Sequence, residues 1–287
     1  MQNRRILITG ATGFIGRFLI KHFLKSGSKV YGISRHPQTL GKNKFFQWIH
    51  SDLSIYIPDL PDIDICIHAA GLSPSSEKTM CDFIQNNIQS TCNLIKALKP
   101  NNCKKIIYLS GISVFGTVSV PIINEQTPIC TPGAYGLSKY VAERVIQEQN
   151  DIPSCILRLP GVLGQGSSTP WLIRQIRKST HNKTITIYNP ESMFNNAVWI
   201  VDLINFIHTI CNQKESSNQL FVLGASNSLS IIDMMNLILK RVRSKSKIEI
   251  SKGSNSFIID HSLALKAGYA ASNLEEMIFN QIDYELS

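Results

Sequence analysis

Ile6-Leu7-Ile8-Thr9-Gly10-Ala11-Thr12-Gly13-Phe14-Ile15-Gly16 is the stretch that decides the fold. A short apolar run enters a Gly-x-x-Gly-x-x-Gly turn, and the turn opens a helical pattern over Phe14–Ser26. An apolar run of this length ahead of glycines reads as a buried strand. Gly10 permits the tight turn, Gly13 lets the backbone come close to phosphate, and Gly16 lets the helix pack on the strand. The N–H groups around Thr12, Phe14 and Ile15 and the helix dipole favour an anion at this end. Strand, glycine turn and helix in this order are expected to hold the pyrophosphate of a nicotinamide dinucleotide.

The rest of the chain supports that reading. Ile6–Thr9, Lys29–Ile33, Ile63–His68, Lys105–Ser110 and Cys155–Leu159 are short runs rich in Ile, Leu and Val. Helical patterns lie between them at Phe14–Ser26, Met80–Lys99 and Ala134–Gln149. The alternation predicts an α/β fold, a Rossmann-type doubly wound parallel sheet with helices on both faces. A dinucleotide-binding domain is expected over residues 1–164. Residues 165–287 mix helices (Thr169–Lys178, Asp202–Cys211, Ser230–Arg243) with short strands (Thr184–Ile187, Gln219–Leu223, Lys247–Ile250). They read as a smaller C-terminal substrate-binding lid interleaved with the last elements of the sheet, with Ser251–Ser256 as a loop.

Composition excludes several classes. No apolar run approaches the roughly 18 residues that cross a membrane. The seven cysteines show no metal-ligand spacing, which points away from a zinc site or disulfide framework and toward a reducing cytoplasm. Net charge is +9, and residues 1–50 carry nine Lys/Arg with no Asp or Glu. Arg17, Lys21 and Lys25 recur every four residues and line one helix face. Without interleaved aromatics, that face reads as solvated rather than as a nucleic-acid groove.

The end of the second strand selects the cofactor. An NAD site usually places Asp or Glu there for the ribose 2′-hydroxyl. Here Val30-Tyr31-Gly32-Ile33 leads into Ser34-Arg35. A hydroxyl and a guanidinium suit a 2′-phosphate, so NADP is favoured, with NAD the alternative. Asp52-Leu53, after the next short strand, is placed to meet the adenine.

Tyr135-Gly136-Leu137-Ser138-Lys139 opens a later helix and sets Tyr135 and Lys139 one turn apart. An ammonium and a positive nicotinamide both favour phenolate, which is expected to lower the tyrosine pKa from about 10 toward neutrality. Tyr135 then exchanges a proton with an alcohol or ketone. A Tyr-x-x-x-Lys spacing also arises by chance on helix surfaces; its place downstream of the glycine turn gives it meaning.

With these motifs the chain resembles the extended short-chain dehydrogenase/reductases, especially the epimerases, dehydratases and 4-keto reductases that modify nucleotide sugars. The resemblance runs through Gly10–Gly16, His68-Ala69-Ala70-Gly71, Asn87 with Thr91-Cys92-Asn93-Leu94, and Tyr135–Lys139. It continues through Leu157-Arg158-Leu159-Pro160-Gly161, Phe194-Asn195-Asn196 with Val201-Asp202-Leu203, and Ile259-Asp260 with Ala267-Gly268-Tyr269. It implies that Ala69, Ala70, Gly71 and Asn87 lie along the cofactor, that Lys139 binds its ribose, and that Pro160 touches the nicotinamide side. It also implies oxidoreductase or isomerase chemistry on a hydroxyl or keto group of a sugar-like substrate, nucleotide sugars included. Dimerisation through helices that include the one bearing Tyr135 is a further implication. The plainer roles are a core histidine for His68, a helix brace for Asn87 and packing for Trp199.

The departures concern the substrate end. The family usually carries Ser or Thr after the fourth strand, bonded to the reacting oxygen. Aligned on Val114-Phe115-Gly116, that position is Gly111. Ser113, two residues on, shares its side of an extended chain and is the expected substitute, while Ser110 should face away. Losing one such donor costs on the order of 10²-fold in rate. In UDP-galactose epimerases an Asn at the Gly161 position contacts the sugar nucleotide and an Arg at the Asn195 position grips the diphosphate. An Arg-Pro-Gly segment is absent from Lys247–Ser256, leaving Arg174, Arg177 and Lys183 as lid cations. A dinucleotide-binding sensor or scaffold with little turnover is the alternative function, favoured by Gly111 and opposed by the intact Tyr135/Lys139 pair.

Overall fold

The computed structural model describes residues 4–37, 43–74, 77–99, 103–149, 151–167, 170–214, 217–251, 253 and 256–287. The chain begins with β1 (Arg5–Thr9), α1 (Phe14–Lys25), β2 (Lys29–Ser34), β3 (Phe46–His50) and β4 (Ile65–His68). Next come α2 (Met80–Phe83), a π-helical stretch (Ile84–Gln89), α3 (Ser90–Leu98), β5 (Lys105–Gly111) and a 3-10 turn (Ile112–Phe115). Then follow β6 (Ile122–Ile123), α4 (Ala134–Gln147), β7 (Ser154–Leu159), β8 (Gly161–Leu163), α5 (Trp171–Thr180) and β9 (Ile185–Tyr188). The remainder is β10 (Met193–Phe194), β11 (Ala197–Trp199), α6 (Ile200–Asn212), β12 (Gln219–Val222), β13 (Leu229–Ser230), α7 (Ile231–Val242), β14 (Ile248–Ser251), β15 (Ile258–Ile259), α8 (Ser262–Lys266) and α9 (Leu274–Leu286).

A seven-stranded sheet in the order β12-β7-β5-β4-β1-β2-β3 forms the centre of the fold. β3, β2, β1, β4 and β5 pair in parallel, with Thr9 opposite both Ile33 and His68. Strands covered on both faces must be apolar throughout, and every residue of β5 and β7 is buried. On one face Leu7, Ile33, Cys66, Ile106 and Tyr108 pack with Leu94, Leu98, Ala142 and Ile146 from α3 and α4. Each such aliphatic side chain contributes about 1.5–3 kcal/mol by leaving water.

Packing divides the chain into two interleaved units. One comprises Met1–Gly116, Ile129–Arg158 and Ile207–Leu220; the other comprises Thr117–Pro128, Leu159–Phe206 and Phe221–Ser287. Residues on both sides of position 164 contribute to the second unit. The second unit has its own core, in which Ile173, Ile176, Ile187, Met234, Ile238, Met277 and Ile282 meet. Residue 169, the expected start of the helix now seen at Trp171–Thr180, lies outside the described residues. Of the expected loop Ser251–Ser256, Ser251 ends β14, and residues 252, 254 and 255 lie outside the described ones. Among the described residues, no helix is long and apolar enough to cross a membrane.

Candidate active site

The glycine turn is shaped by contact. Gly10 has φ +63°, and a Cβ there would lie 2.8 Å from the Ala69 carbonyl and the Ala70 nitrogen. A Cβ on Gly16 would sit 2.2 Å from the Gly10 oxygen, so only glycine lets α1 approach the end of β1 this closely. The N-terminus of α1 has no side-chain cap and no acid in its first turn. A helix start without a protein partner suits a pyrophosphate. Gly10, Thr12 and Gly13 open onto a cleft of about 240 Å³. Ser34, Arg35, Asp52, Leu53, Ala69, Ala70 and Gly71 also line it, bringing together the cofactor residues expected from three separate strand ends. Asn86 and Ser90 line it as well, although neither carried a sequence signal.

At the ribose corner, Ser34 Oγ accepts the His36 N–H at 3.1 Å and lies 3.2 Å from Thr12 Oγ1. Arg35 is more than half exposed, and its guanidinium is 4.0 Å from the Asp52 carboxylate. Burial pushes Asp52 upward, but bonds donated by Ser54 and the charge of Arg35 outweigh it and hold the acid below its usual range. No carboxylate sits at the end of β2 itself. The acid at this corner comes from the turn after β3.

Behind the cleft, a chain of hydrogen bonds leaves one assignment for the protons. Thr91 Oγ1 donates to the Asn87 carbonyl at 2.6 Å and therefore accepts from His68 Nε2 at 3.0 Å. His68 Nδ1 then accepts from Thr9 Oγ1 at 2.7 Å, and Thr9 accepts the Ala70 N–H at 3.1 Å. Burial, aided by the charge of Lys139, pushes His68 down to about 3. His68 is thus a neutral core strut that fixes the Ala69–Gly71 backbone. Asn87 sits in the π-helical stretch, a local form that often marks functional sites. Its Oδ1 accepts the Leu72 N–H at 2.6 Å, and its Nδ2 donates to Ser138 Oγ at 2.8 Å and to the Leu72 carbonyl at 3.4 Å. Asn87 therefore braces the cleft wall against α4.

Tyr135 and Lys139 share α4; Lys139 is buried and Tyr135 partly so. Lys139 Nζ donates to the Leu109 carbonyl at 3.0 Å and stands 4.8 Å above the Tyr108 ring. It also approaches Gly71, where a Cβ would be 3.0 Å from Nζ, which places the ammonium beside the Gly71 wall of the cleft. Burial lowers Lys139 to about 8, with Glu143 acting in the opposite direction. Burial also pushes Tyr135 up to about 12, against the expected lowering. The physical reason is that the Lys139 ammonium engages Leu109 and Tyr108, so desolvation dominates at the phenol.

Gly111 ends β5 in an extended conformation, and Ser113 lies in the following 3-10 turn. Gly136 packs so closely that a Cβ would be 2.1 Å from the Ser113 carbonyl oxygen. The Ser113 hydroxyl is buried and, among the described residues, has no hydrogen-bond partner. Ser110 points elsewhere, donating to Glu143. Glu143 also receives Arg158 at 2.7 Å from Nη2 and 3.1 Å from Nε. Neither member of that pair was singled out from the sequence as functional; the Arg158 guanidinium and Glu143 meet only once β7 and α4 pack.

In the second unit, the Asn195 side chain is fully engaged with backbone. Nδ2 donates to the Ile259 carbonyl at 2.9 Å, and Oδ1 accepts the Ile259 N–H at 2.8 Å. Arg177 pairs with Glu285 at 2.6 Å. Pro160 is buried between β7 and β8. Among the described residues, no cluster of three or more His, Cys, Asp or Glu could hold a metal.

Comparison with known proteins agrees with this fold. A Bacillus subtilis protein named as an uncharacterized UDP-glucose epimerase is 24% identical over 256 residues, covering 82% of this chain and 81% of its own. A dTDP-4-dehydro-6-deoxyglucose reductase of Escherichia coli is 26% identical over 288 residues, covering 91% of this chain and 90% of its own. A UDP-glucuronic acid 4-epimerase of Bacillus cereus, solved in complex with NAD, superposes with a TM-score of 0.85 at 26% identity and 98% coverage of both chains. Residues 6–224 match the family described as NAD dependent epimerase/dehydratase, and to that family, within the extended short-chain dehydrogenase/reductases, this chain belongs.

Proposed function

We propose that the protein is an NADP-preferring oxidoreductase or epimerase acting on a hydroxyl or keto group of a sugar-like substrate, with nucleotide sugars the leading class. The observation that carries this reading is Lys139 Nζ at the Gly71 wall of the cofactor cleft, one helical turn after Tyr135. When bound, the dinucleotide supplies a hydride acceptor or donor. Tyr135 holds or removes the proton of the substrate oxygen, and Lys139 binds the ribose. Ser113, with its hydroxyl unpaired, takes the place of the donor missing at Gly111. Asn195 is spent on Ile259, so any phosphate of the substrate must be held by other groups. Seven cysteines without metal-ligand spacing, four of them buried, support a reducing compartment such as the cytoplasm.

The NADP preference rests on Ser34 and Arg35 at the end of β2. A guanidinium–phosphate contact contributes about 1.5–3 kcal/mol, or about tenfold or more in affinity. Fluorescence titration should therefore show NADPH binding at least about tenfold tighter than NADH, with Arg35→Ala removing the difference. Equal or tighter binding of NADH contradicts it. Substrate is found by NMR detection of products from a panel of nucleotide sugars and simple ketones, since redox-neutral epimerisation leaves absorbance unchanged. A protein that binds NADPH tightly yet converts nothing in a Tyr135-dependent way is the sensor instead.

A further inference from the structure

We propose that Glu143 is a positioning residue, the buried counter-charge that, clamped by Arg158 and Ser110, keeps Lys139 protonated and in place one helical turn away. This rests on the role given above to Lys139. Three elements converge on this carboxylate. It stands on α4 after Lys139, β5 sends it the Ser110 hydroxyl, and β7 sends it the Arg158 guanidinium. Glu143 is 1% exposed, Arg158 4% and Lys139 5%.

The charges in this interior are unequal. Two cations, Lys139 and Arg158, stand near one carboxylate, which Arg158 bonds directly and Lys139 feels across one helical turn. The other ionisable groups around Lys139 are neutral near pH 7. His68 on β4 is held unprotonated at about 3. Tyr135 on α4 is pushed up to about 12, and burial likewise keeps Tyr108 on β5 a phenol. The direct contacts of the ammonium, the Leu109 carbonyl and the Tyr108 ring, carry no net charge. Burial alone drives a lysine toward the neutral amine. Glu143 opposes that drive, and residues four apart on a helix are neighbours across one turn.

The same cluster fixes geometry. Ser110 follows Leu109, whose carbonyl holds Lys139 Nζ. Arg158 also lies 4.8 Å from the ring centre of Phe115, in the turn that bears Ser113. As scaffolding alone the ion pair is replaceable, because apolar residues of similar volume often serve a core as well or better. What an apolar replacement does not supply is the negative charge felt by Lys139.

The test is a pH titration of the protein labelled with 13Cε-lysine, followed by NMR. The parent should show one lysine with a midpoint near 8, absent from Lys139→Met. In Glu143→Gln that midpoint should fall by about one pH unit, a tenfold loss of proton affinity. Glu143→Gln leaves Arg158 buried without a partner, so Glu143→Gln/Arg158→Met, which removes both charges, is measured beside it. The midpoint should fall there too, whereas Ser110→Ala, which keeps the carboxylate, should leave it in place. A midpoint unchanged in a folded variant lacking Glu143 overturns the proposal. The titration needs neither substrate nor turnover. A shifted midpoint in a protein that never turns over would refute the proposed function and leave this coupling intact. Turnover abolished by Tyr135→Phe, with a midpoint indifferent to Glu143, would do the reverse.

Discussion

The Asn87 side chain donates to Ser138 Oγ at 2.8 Å, tying the π-helical stretch to the helix that carries Tyr135 and Lys139. Because Asn87 also satisfies both backbone groups of the partly buried Leu72, Asn87→Ala removes three hydrogen bonds at once. Each contributes about 0.5–1.5 kcal/mol net. Urea unfolding should show at least that loss, with weaker NADPH binding by fluorescence, since Leu72 lines the cleft. Unchanged stability and affinity would remove Asn87 from the architecture.

Gly136 lets α4 touch the Ser113 turn. Gly136→Ala forces a Cβ to within 2.1 Å of the Ser113 oxygen unless the turn moves. Overpacking of this kind costs about 1–3 kcal/mol, and the displaced Ser113 should lower kcat while NADPH affinity holds. Gly133, the residue at the helix start with nothing within 4 Å of its built Cβ, provides the control. Gly133→Ala should leave both kinetics and the unfolding midpoint near those of the parent.

Lys139 trades stability for chemistry. Its folded value is about 8 against 10.5 for an ordinary lysine. Below pH 8 both folded and unfolded chains hold the proton, and the full cost of burying it is present. Between 8 and 10.5 only the unfolded chain binds it, so stability rises with pH across that window. Lys139→Met should accordingly be more stable at pH 7, by on the order of 2 kcal/mol, and should lack this rise while losing turnover. Denaturant titrations at pH 7, 8.5 and 10 read the effect. A less stable variant at pH 7 contradicts it.

His68 should make the protein acid-sensitive. It stays neutral in the fold down to about 3, whereas the unfolded chain takes up its proton at 6.5. Stability from this group therefore falls as pH drops through that window, by up to about 1.4 kcal/mol per unit. Unfolding midpoints at pH 7.5 and 5 should differ in this direction, and His68→Gln should flatten the difference. A slope equal in parent and variant would place acid sensitivity elsewhere.

Much of the central sheet was legible in the sequence because its physics is local. Strands buried on both faces show as continuous runs of Ile, Leu and Val, and the expected runs at Lys29, Lys105 and Cys155 each fall within one residue of the observed β2, β5 and β7 at both ends. The glycine spacing encodes close approaches that only glycine tolerates. The π-helical insertion at Ile84–Gln89 was not legible, since one extra residue in a turn leaves the apolar pattern nearly unchanged. Two-residue strands such as Met193–Phe194 and Ile258–Ile259 are too short to show a period. Side-chain roles fixed by tertiary packing were hidden as well. Asn195 stands where the family's diphosphate-gripping Arg would be, and only the structure shows that its amide bonds the Ile259 backbone at both ends. The upward shift of Tyr135 was missed because its spacing to Lys139 says nothing about burial or about the Leu109 carbonyl.

Tyr135→Phe bears most directly on the central claim. Parent and variant are incubated with NADP(H) and the panel of nucleotide sugars and ketones, products are followed by NMR, and NADPH binding is measured in parallel. Removing a positioned proton donor costs about 10²–10⁴-fold, so conversion by the parent should fall by at least that lower figure in the variant, with NADPH affinity unchanged. Conversion that survives Tyr135→Phe undiminished would contradict the account.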